Sequence, residues 1–237
     1  MIKFSIILPC YNESENIIDI LERFGSIINV SDTELILVNN GSEDDTALIL
    51  ENNLYKYKFA RRIDIPINIG YGFGIINGLR AAHGNWIGWS HADMQTDPAD
   101  VVNAINICRN YSDTEHLFIK GERNGRSAFA KLFSKGMKVF VRIILKQQLT
   151  EINAQPNFFN AKLLDFIKCP PNHWGLDLYF YYIAKKAEFN FERIPVLFPK
   201  RKYGKSKWNK GVFSRIMFSL KILIYCFEIR KNENNKS

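Results

Sequence analysis

Three short polar segments in this 237-residue chain each follow an apolar, β-rich run. Tyr11-Asn12-Glu13 follows Lys3–Leu8 and Pro9, Asn39-Asn40 closes the run that opens at Glu34, and His91-Ala92-Asp93-Met94-Gln95 follows Trp86–Ser90. Together they offer a phenol, an imidazole, carboxylates and amides. Strands that alternate with helices and are almost wholly apolar imply a mainly parallel sheet covered on both faces. Ligands of such sheets bind beyond the carboxyl ends of the strands. Three polar strand ends converging on one edge therefore argue for a single ligand site assembled from distant parts of the chain.

The elements that must position these residues are legible in the pattern. Lys3–Leu8, Glu34–Asn39, Arg61–Ile65, Trp86–Ser90 and Glu115–Lys120 read as five strands. A helical pattern runs from Glu13 to Ile28. After the turn Asn40-Gly41-Ser42, Glu43–Asp45 opens an acidic helix start, where carboxylates suit the helix dipole. Gly70–Gly74 reads as a glycine-rich turn leading into a helix that ends near His83. Asp97-Pro98 opens a further helix, with proline in the first turn. Beyond residue 120 the spacing predicts a basic amphipathic helix over 128–148, a helix over 176–187 and a strand over Phe191–Phe198. Pro195 places that strand at a sheet edge. A basic loop (KRKYGKSKWNK, 200–210), a last amphipathic helix over 211–229 and a disordered tail complete the chain. No internal repeat and no long linker calls for a second domain.

Composition narrows the class. Hydrophobic residues make up 46% and charged residues 24%, an ordinary globular balance. The net charge of +8 is uneven: residues 1–119 hold 8 Lys+Arg against 16 Asp+Glu, and residues 120–237 hold 24 against 8. A basic second half suits nucleic acid, a diphosphate ligand or an anionic membrane. Cys10, Cys108, Cys169 and Cys226 are far apart, which speaks against a disulfide framework or a zinc site and for a reducing cytosol. The first residues read as a buried strand broken by Pro9, not a signal peptide. No apolar run reaches the ~18 residues of a spanning helix.

The segments ILPCYNESENI, LILVNNGSEDDT, NIGYGFGIINGLRAA, WIGWSHADMQTDP, KGERNGRSAFAKLFSKG and VLFPKRKYGKSK, in this order and spacing, resemble glycosyltransferase family 2. The likeness is to its inverting α/β GT-A fold, and within it to the dolichyl- or polyprenyl-phosphate mannose synthase branch. It implies a mostly parallel central sheet with helices on both faces, to which the pattern over 211–229 adds a C-terminal amphipathic helix. Residues 1–210 would form the transferase domain, with 1–120 the nucleotide-sugar and metal half and 121–210 the acceptor half; 211–237 would be the helix and tail. By this resemblance Pro9, Tyr11, Glu13, Val38 and Asn40 hold the base and ribose of a GDP- or UDP-linked sugar. A ring to stack on and a carboxylate to accept from donors are what a nucleoside needs. HADMQTDP stands where the family has its Asp-x-Asp motif. Asp93 would ligate Mg²⁺ or Mn²⁺ with Gln95 as a second ligand, since hard cations take oxygen, and His91 and Ala92 would touch the phosphate or sugar. Asp93 as a mere helix cap is disfavoured, because Asp97 before Pro98 fills that place better. Arg123, Arg201 and Lys207 resemble the diphosphate binders, Arg by paired hydrogen bonds and Lys as a point charge.

The acceptor side departs from the lipid-phosphate branch. Where relatives carry a Gly-Phe-Arg-type segment, this chain has Glu151 to Phe159 without arginine. A phosphate acceptor is already ionised, whereas a sugar hydroxyl needs a general base. Glu151 and Asp177 are the candidates, Glu151 favoured by its place in the segment. The implied partners are a nucleotide sugar and a lipid-linked acceptor, a polyprenyl phosphate or glycolipid. In the helix over 211–229, Phe213, Ile216, Met217, Leu220, Leu223, Ile224 and Phe227 form a broad apolar face, with Ser214, Lys221, Tyr225 and Glu228 on a neighbouring side. With the basic stripe of 128–148 this suits peripheral contact with the cytoplasmic face of an anionic membrane; the bland alternative is packing against the sheet, a second copy or a membrane-anchored partner. A dinucleotide oxidoreductase is disfavoured, since Gly72-x-Gly74 with Gly78 is not the G-x-G-x-x-G fingerprint and follows the third strand. A non-catalytic protein of the same fold stays open through His91 and Asn40. No nucleic-acid motif accompanies the positive charge.

Overall fold

A computed structural model describes residues 1–111, 115–124, 139–197 and 212–234, with backbone alone at 212–216, 218 and 234. Seven strands form one sheet: β1 Phe4–Cys10, β2 Thr33–Asn40, β3 Ala60–Ile65, β4 Trp86–Trp89, β5 Leu117–Arg123, β6 Asn157–Asn160 and β7 Asn190–Val196. Their order is β3-β2-β1-β4-β6-β5-β7. The first four run parallel, β6 is antiparallel to both β4 and β5, and β7 is parallel to β5. Two reversals cancel, so β5 and β7 point the same way as β1 to β4. Their carboxyl ends share one edge.

Helices cover both faces. α1 Ile17–Gly25, α2 Thr46–Asn53 and α4 Pro98–Asn110 lie on one; α3 Tyr71–Arg80, a helix over 139–145 (α5), α6 Leu176–Lys186 and α7 Val212–Asn234 belong to the other. The period-2 alternation of a strand divides the core accordingly. Phe4, Ile6 and Leu8 of β1 enter the first cluster, and Ile7 enters the second. Asp97 caps α4, its carboxylate accepting from Ala99 N at 2.9 Å with Pro98 following, as its sequence position predicts.

Four expectations change. Gly72 and Gly74 lie inside α3, not in a turn before it. Glycine is required there by close packing: a Cβ at Gly72 would stand 2.3 Å from Pro171 O, and one at Gly78 would stand 2.4 Å from Ile7 Cγ2. α1 starts at Ile17, because residues 12–14 are spent bonding to the 42–46 loop. β6 falls within the segment read only as acceptor site; four residues, buried on both faces, are too short to show a period. Phe158 stacks toward Phe4 on one side and Phe159 toward Phe118 on the other. Finally, α7 buries Ser219, Ile222, Tyr225, Cys226 and Ile229, so Tyr225 belongs to the core side rather than the margin. The opposite stripe is solvent-exposed: Met217 41%, Leu220 47%, Ile224 58% and Phe227 61%. At 100° per residue these two sets fall on opposite sides of the helix.

At the amino edge of the sheet a buried carboxylate ties β1, β2, β3 and the loop into β4. Glu34 accepts from Ser5 Oγ (2.6 Å), Arg61 Nε (2.8 Å) and His83 N (2.8 Å). Burial pushes its pKa up, but these hydrogen bonds and the Arg61 charge outweigh burial and leave it below the ordinary 4.5. A depressed carboxylate stabilises the fold above its unfolded pKa, and that contribution fades as pH falls through the lower folded value. Glu34→Ala should cost about 1–3 kcal/mol at pH 7, because buried donors lose their acceptor. Its stability should also fall less steeply with acid than the wild type's below pH 4.5, which urea titration at several pH values checks.

Candidate active site

The donor rim is built by register. Cys10 of β1 pairs with Asn39 of β2, so the loops that follow lie side by side. They are stitched by Asn12 N to Ser42 Oγ (3.2 Å), Glu43 N to Asn12 Oδ1 (2.9 Å), Glu13 N to Thr46 Oγ1 (2.9 Å) and Ser14 N to Asp44 Oδ2 (3.2 Å). Asn12 turns with φ +57°, a conformation asparagine tolerates. This brings Tyr11 and Glu13 beside Asn39 and Asn40. Asn16 Nδ2 donates to Glu13 at 2.6 Å. Buried Asn40 donates through Nδ2 to Gly70 O at 3.0 Å, and its Oδ1 has no hydrogen-bond partner among the described residues. Pro9 is half-buried in β1, whereas the Val38 side chain lies wholly in the core beneath α3.

The third strand end lies on the same edge. Ser90 N donates to Ile7 O at 3.1 Å, and the chain turns through His91 and buried Ala92 to Asp93. Asp93 is 3% exposed, and its Oδ1 accepts from Gln95 N at 3.1 Å across Met94, where φ is +56°. Among the described residues no group of three or more His, Cys, Asp or Glu could hold a metal ion by itself. One carboxylate fits a hard cation whose other ligands are diphosphate oxygens.

A second, more deeply buried cluster lies where α6 begins. Asp177, in the first turn, accepts from Asn157 Nδ2 (2.7 Å) and Trp89 Nε1 (3.1 Å). Burial raises its pKa, opposed by the charges of Lys120 and His91 and by those two hydrogen bonds. The hydroxyl of Tyr71, the first residue of α3, accepts from Gln155 Nε2. Burial and then the Asp177 charge hold that phenol well above its ordinary value. Gln155 Oε1 is buried and has no hydrogen-bond partner among the described residues. Glu151 faces Arg123 of β5, with Nε to Oε2 at 3.0 Å.

α3 joins the two clusters. Gly70 O holds Asn40, Tyr71 holds Gln155, and Phe73 N donates to Asn172 O at 3.0 Å. Thus Tyr11, Glu13, Asn40, His91, Asp93, Arg123 and Asp177 all stand at the carboxyl edge. Arg201 and Lys207 lie outside the described residues. Trp89, Lys120, Asn157, Tyr71 and Gln155 escaped the sequence reading. One signal for Lys120 exists: in Leu117-Phe118-Ile119-Lys120 it takes an inward position of an otherwise apolar strand.

This strand order, with helices on both faces, is the α/β arrangement of the GT-A fold. The profile of glycosyl transferase family 2 matches residues 5–175, and the chain belongs to that family and is a glycosyltransferase. It is 25% identical over 242 residues to an uncharacterised glycosyltransferase of Synechocystis sp., covering 94% of this chain and 73% of that protein. It is 26% identical to the dolichol-phosphate mannosyltransferase of Pyrococcus furiosus (86% and 59%). To the undecaprenyl-phosphate 4-deoxy-4-formamido-L-arabinose transferase of Sodalis glossinidius it is 21% identical (92% and 66%). The chain thus spans less than two thirds of the length of these last two. In fold it is similar to glucosyl-3-phosphoglycerate synthase of Mycobacterium tuberculosis solved with Mn²⁺, UDP and glucosyl-3-phosphoglycerate: TM-score 0.71, 15% identity, 96% of this chain and 79% of that one.

The α3 junction is testable. In Gly72→Ala the new methyl meets backbone carbonyls of Pro171 and His173, which cannot swing aside as a side chain can. It should cost about 1–3 kcal/mol, read by thermal denaturation. Transferase activity should fall more than the stability loss explains, because Tyr71 shifts from Gln155.

Proposed function

We propose that the chain moves a sugar, with inversion, from a UDP- or GDP-linked donor to a hydroxyl of a lipid-linked acceptor. The observation that carries this reading is the pairing, on one edge, of a donor rim (Tyr11, Glu13, Asn40, Asp93) with a buried carboxylate, Asp177. Residues 1–210 act as the transferase domain and 211–237 as an appended helix. Tyr11 and Glu13 hold the nucleoside, and Asn40 Oδ1 accepts from it. Asp93, with Gln95, would hold Mg²⁺ or Mn²⁺, which supplies positive charge for the departing nucleoside diphosphate. Arg201 and Lys207 add to that charge. Arg123 contributes through its ion pair with Glu151, which orders the acceptor segment. Asp177 takes the proton from the acceptor oxygen as that oxygen attacks the anomeric carbon opposite the leaving group. Glu151, opposite Arg123, is the weaker candidate for that task. The missing arginine in the acceptor segment favours a hydroxyl over a lipid phosphate. A soluble acceptor is the second reading, favoured by the phosphoglycerate complexes of the fold neighbour.

The lipid-linked acceptor fits the surface. Among the described residues no helix is long and apolar enough to cross a membrane. The exposed stripe of α7 and exposed Val139, Phe140 and Ile143 of α5 are instead suited to an interface, flanked by Arg142 and Lys146. Arg230 donates to Ile144 O and holds the two helices together. On this reading the enzyme works at the cytoplasmic face of a membrane, in cell-envelope glycan synthesis.

Asp93→Ala should lower sugar transfer more than ~100-fold, through loss of charge stabilisation; near-normal turnover with any donor of a UDP- and GDP-sugar panel would refute the metal assignment. For the membrane contact, the protein should float with vesicles containing anionic lipid. Ile224→Asp with Phe227→Asp should release it without a change in Tm, and equal flotation of that variant would count against the surface.

A further inference from the structure

Lys120 is the charged side chain the reaction has not used. It is 0% exposed, in the middle of strand β5, where an isolated ammonium is among the costliest groups to bury. Its Nζ donates to Asn157 Oδ1 at 2.7 Å and to Ala154 O at 3.0 Å, and it lies 5.5 Å from the centre of the Tyr181 ring. The other end of the Asn157 amide donates to Asp177 Oδ1 at 2.7 Å. One amide therefore separates a buried cation from a buried anion, and its orientation is fixed by both: the oxygen faces the ammonium, the nitrogen faces the carboxylate.

We propose that Lys120 is a positioning residue: through the Asn157 amide, its ammonium holds Asp177 as an oriented carboxylate inside the fold. The inference rests on reading Asp177 as the group that takes the acceptor's proton. No proton passes along the relay; Lys120 supplies charge and direction. Asp177 Oδ1 is occupied by Asn157 and Trp89, two donors that suit only an acceptor. The other charged or titratable groups around the pair are Tyr71 from α3, His91 from the loop after β4, Arg123 from β5, Glu151 from the acceptor segment, Tyr181 from α6 and Arg193 from β7. Burial pushes the Lys120 ammonium down to about 7; Asp177 opposes this, while Arg193 and Arg123 add to it. Removal of Asp177 would therefore leave Lys120 more readily neutral, and removal of Lys120 would leave Asp177 more readily protonated.

The test uses the full chain labelled with ¹³C at aspartate carboxyls, with the Asp177 resonance assigned by its loss in Asp177→Asn. In Lys120→Met the Asp177 midpoint should rise by about one pH unit or more, and the acidic limb of the transfer rate should move up with it. The double variant Lys120→Met/Asp177→Asn should recover Tm that Lys120→Met loses. If Lys120→Met does not fold, a folded double variant supports the proposal equally, and an unfolded one counts against it. An unmoved Asp177 midpoint, or a double variant no more stable than Lys120→Met, would overturn the proposal. The resonance needs no turnover: a shifted midpoint beside a fully active Asp177→Asn would remove the base assignment and leave the relay standing.

Discussion

A carboxylate buried away from water survives only if the fold supplies the partners that water would have given. Asp177 meets this demand with the Trp89 indole of β4 and the Asn157 amide of β6. Those partners stand at positions 89 and 157, and each lies at the strand edge where ligands of parallel sheets bind. This buried carboxylate thus fixes where α6 meets the two central strands. The donor rim is tied in at the start of α3, where Gly70, one residue before Tyr71, holds Asn40.

The antiparallel strand β6 has an equal share in this geometry. By reversing direction between β4 and β5 it brings Arg123 to the same edge as Asp93, and it carries Asn157 between Lys120 and Asp177. A wholly parallel sheet at this point would need a crossover connection, and the segment 151–156 could not fold back over the strand ends.

Local signals carried most of the fold. The apolar runs of β1, β2 and β4 and the Asp97-Pro98 helix start are where the pattern places them, and Pro195 does mark an edge strand. What escaped was set by long-range packing. Gly72 looked like a turn residue because its need for glycine comes from carbonyls a hundred positions away. Tyr225 looked marginal because α7 carries apolar residues on two opposite sides, so its sequence does not reveal which stripe meets protein. The candidate site was legible in its strand-end residues, since a strand followed by a polar cluster is a local pattern. The Lys120–Asn157–Asp177 relay was not, since nothing in the sequence pairs positions 120, 157 and 177.

The claim on which the rest stands is that the carboxyl edge holds a nucleoside diphosphate together with a divalent cation. A ligand that binds only the folded chain raises its melting temperature. UDP or GDP should raise Tm in the presence of Mn²⁺ and much less in its absence, and Asp93→Asn should erase the difference. Equal shifts with and without Mn²⁺, or a metal-dependent shift that persists in Asp93→Asn, would contradict it.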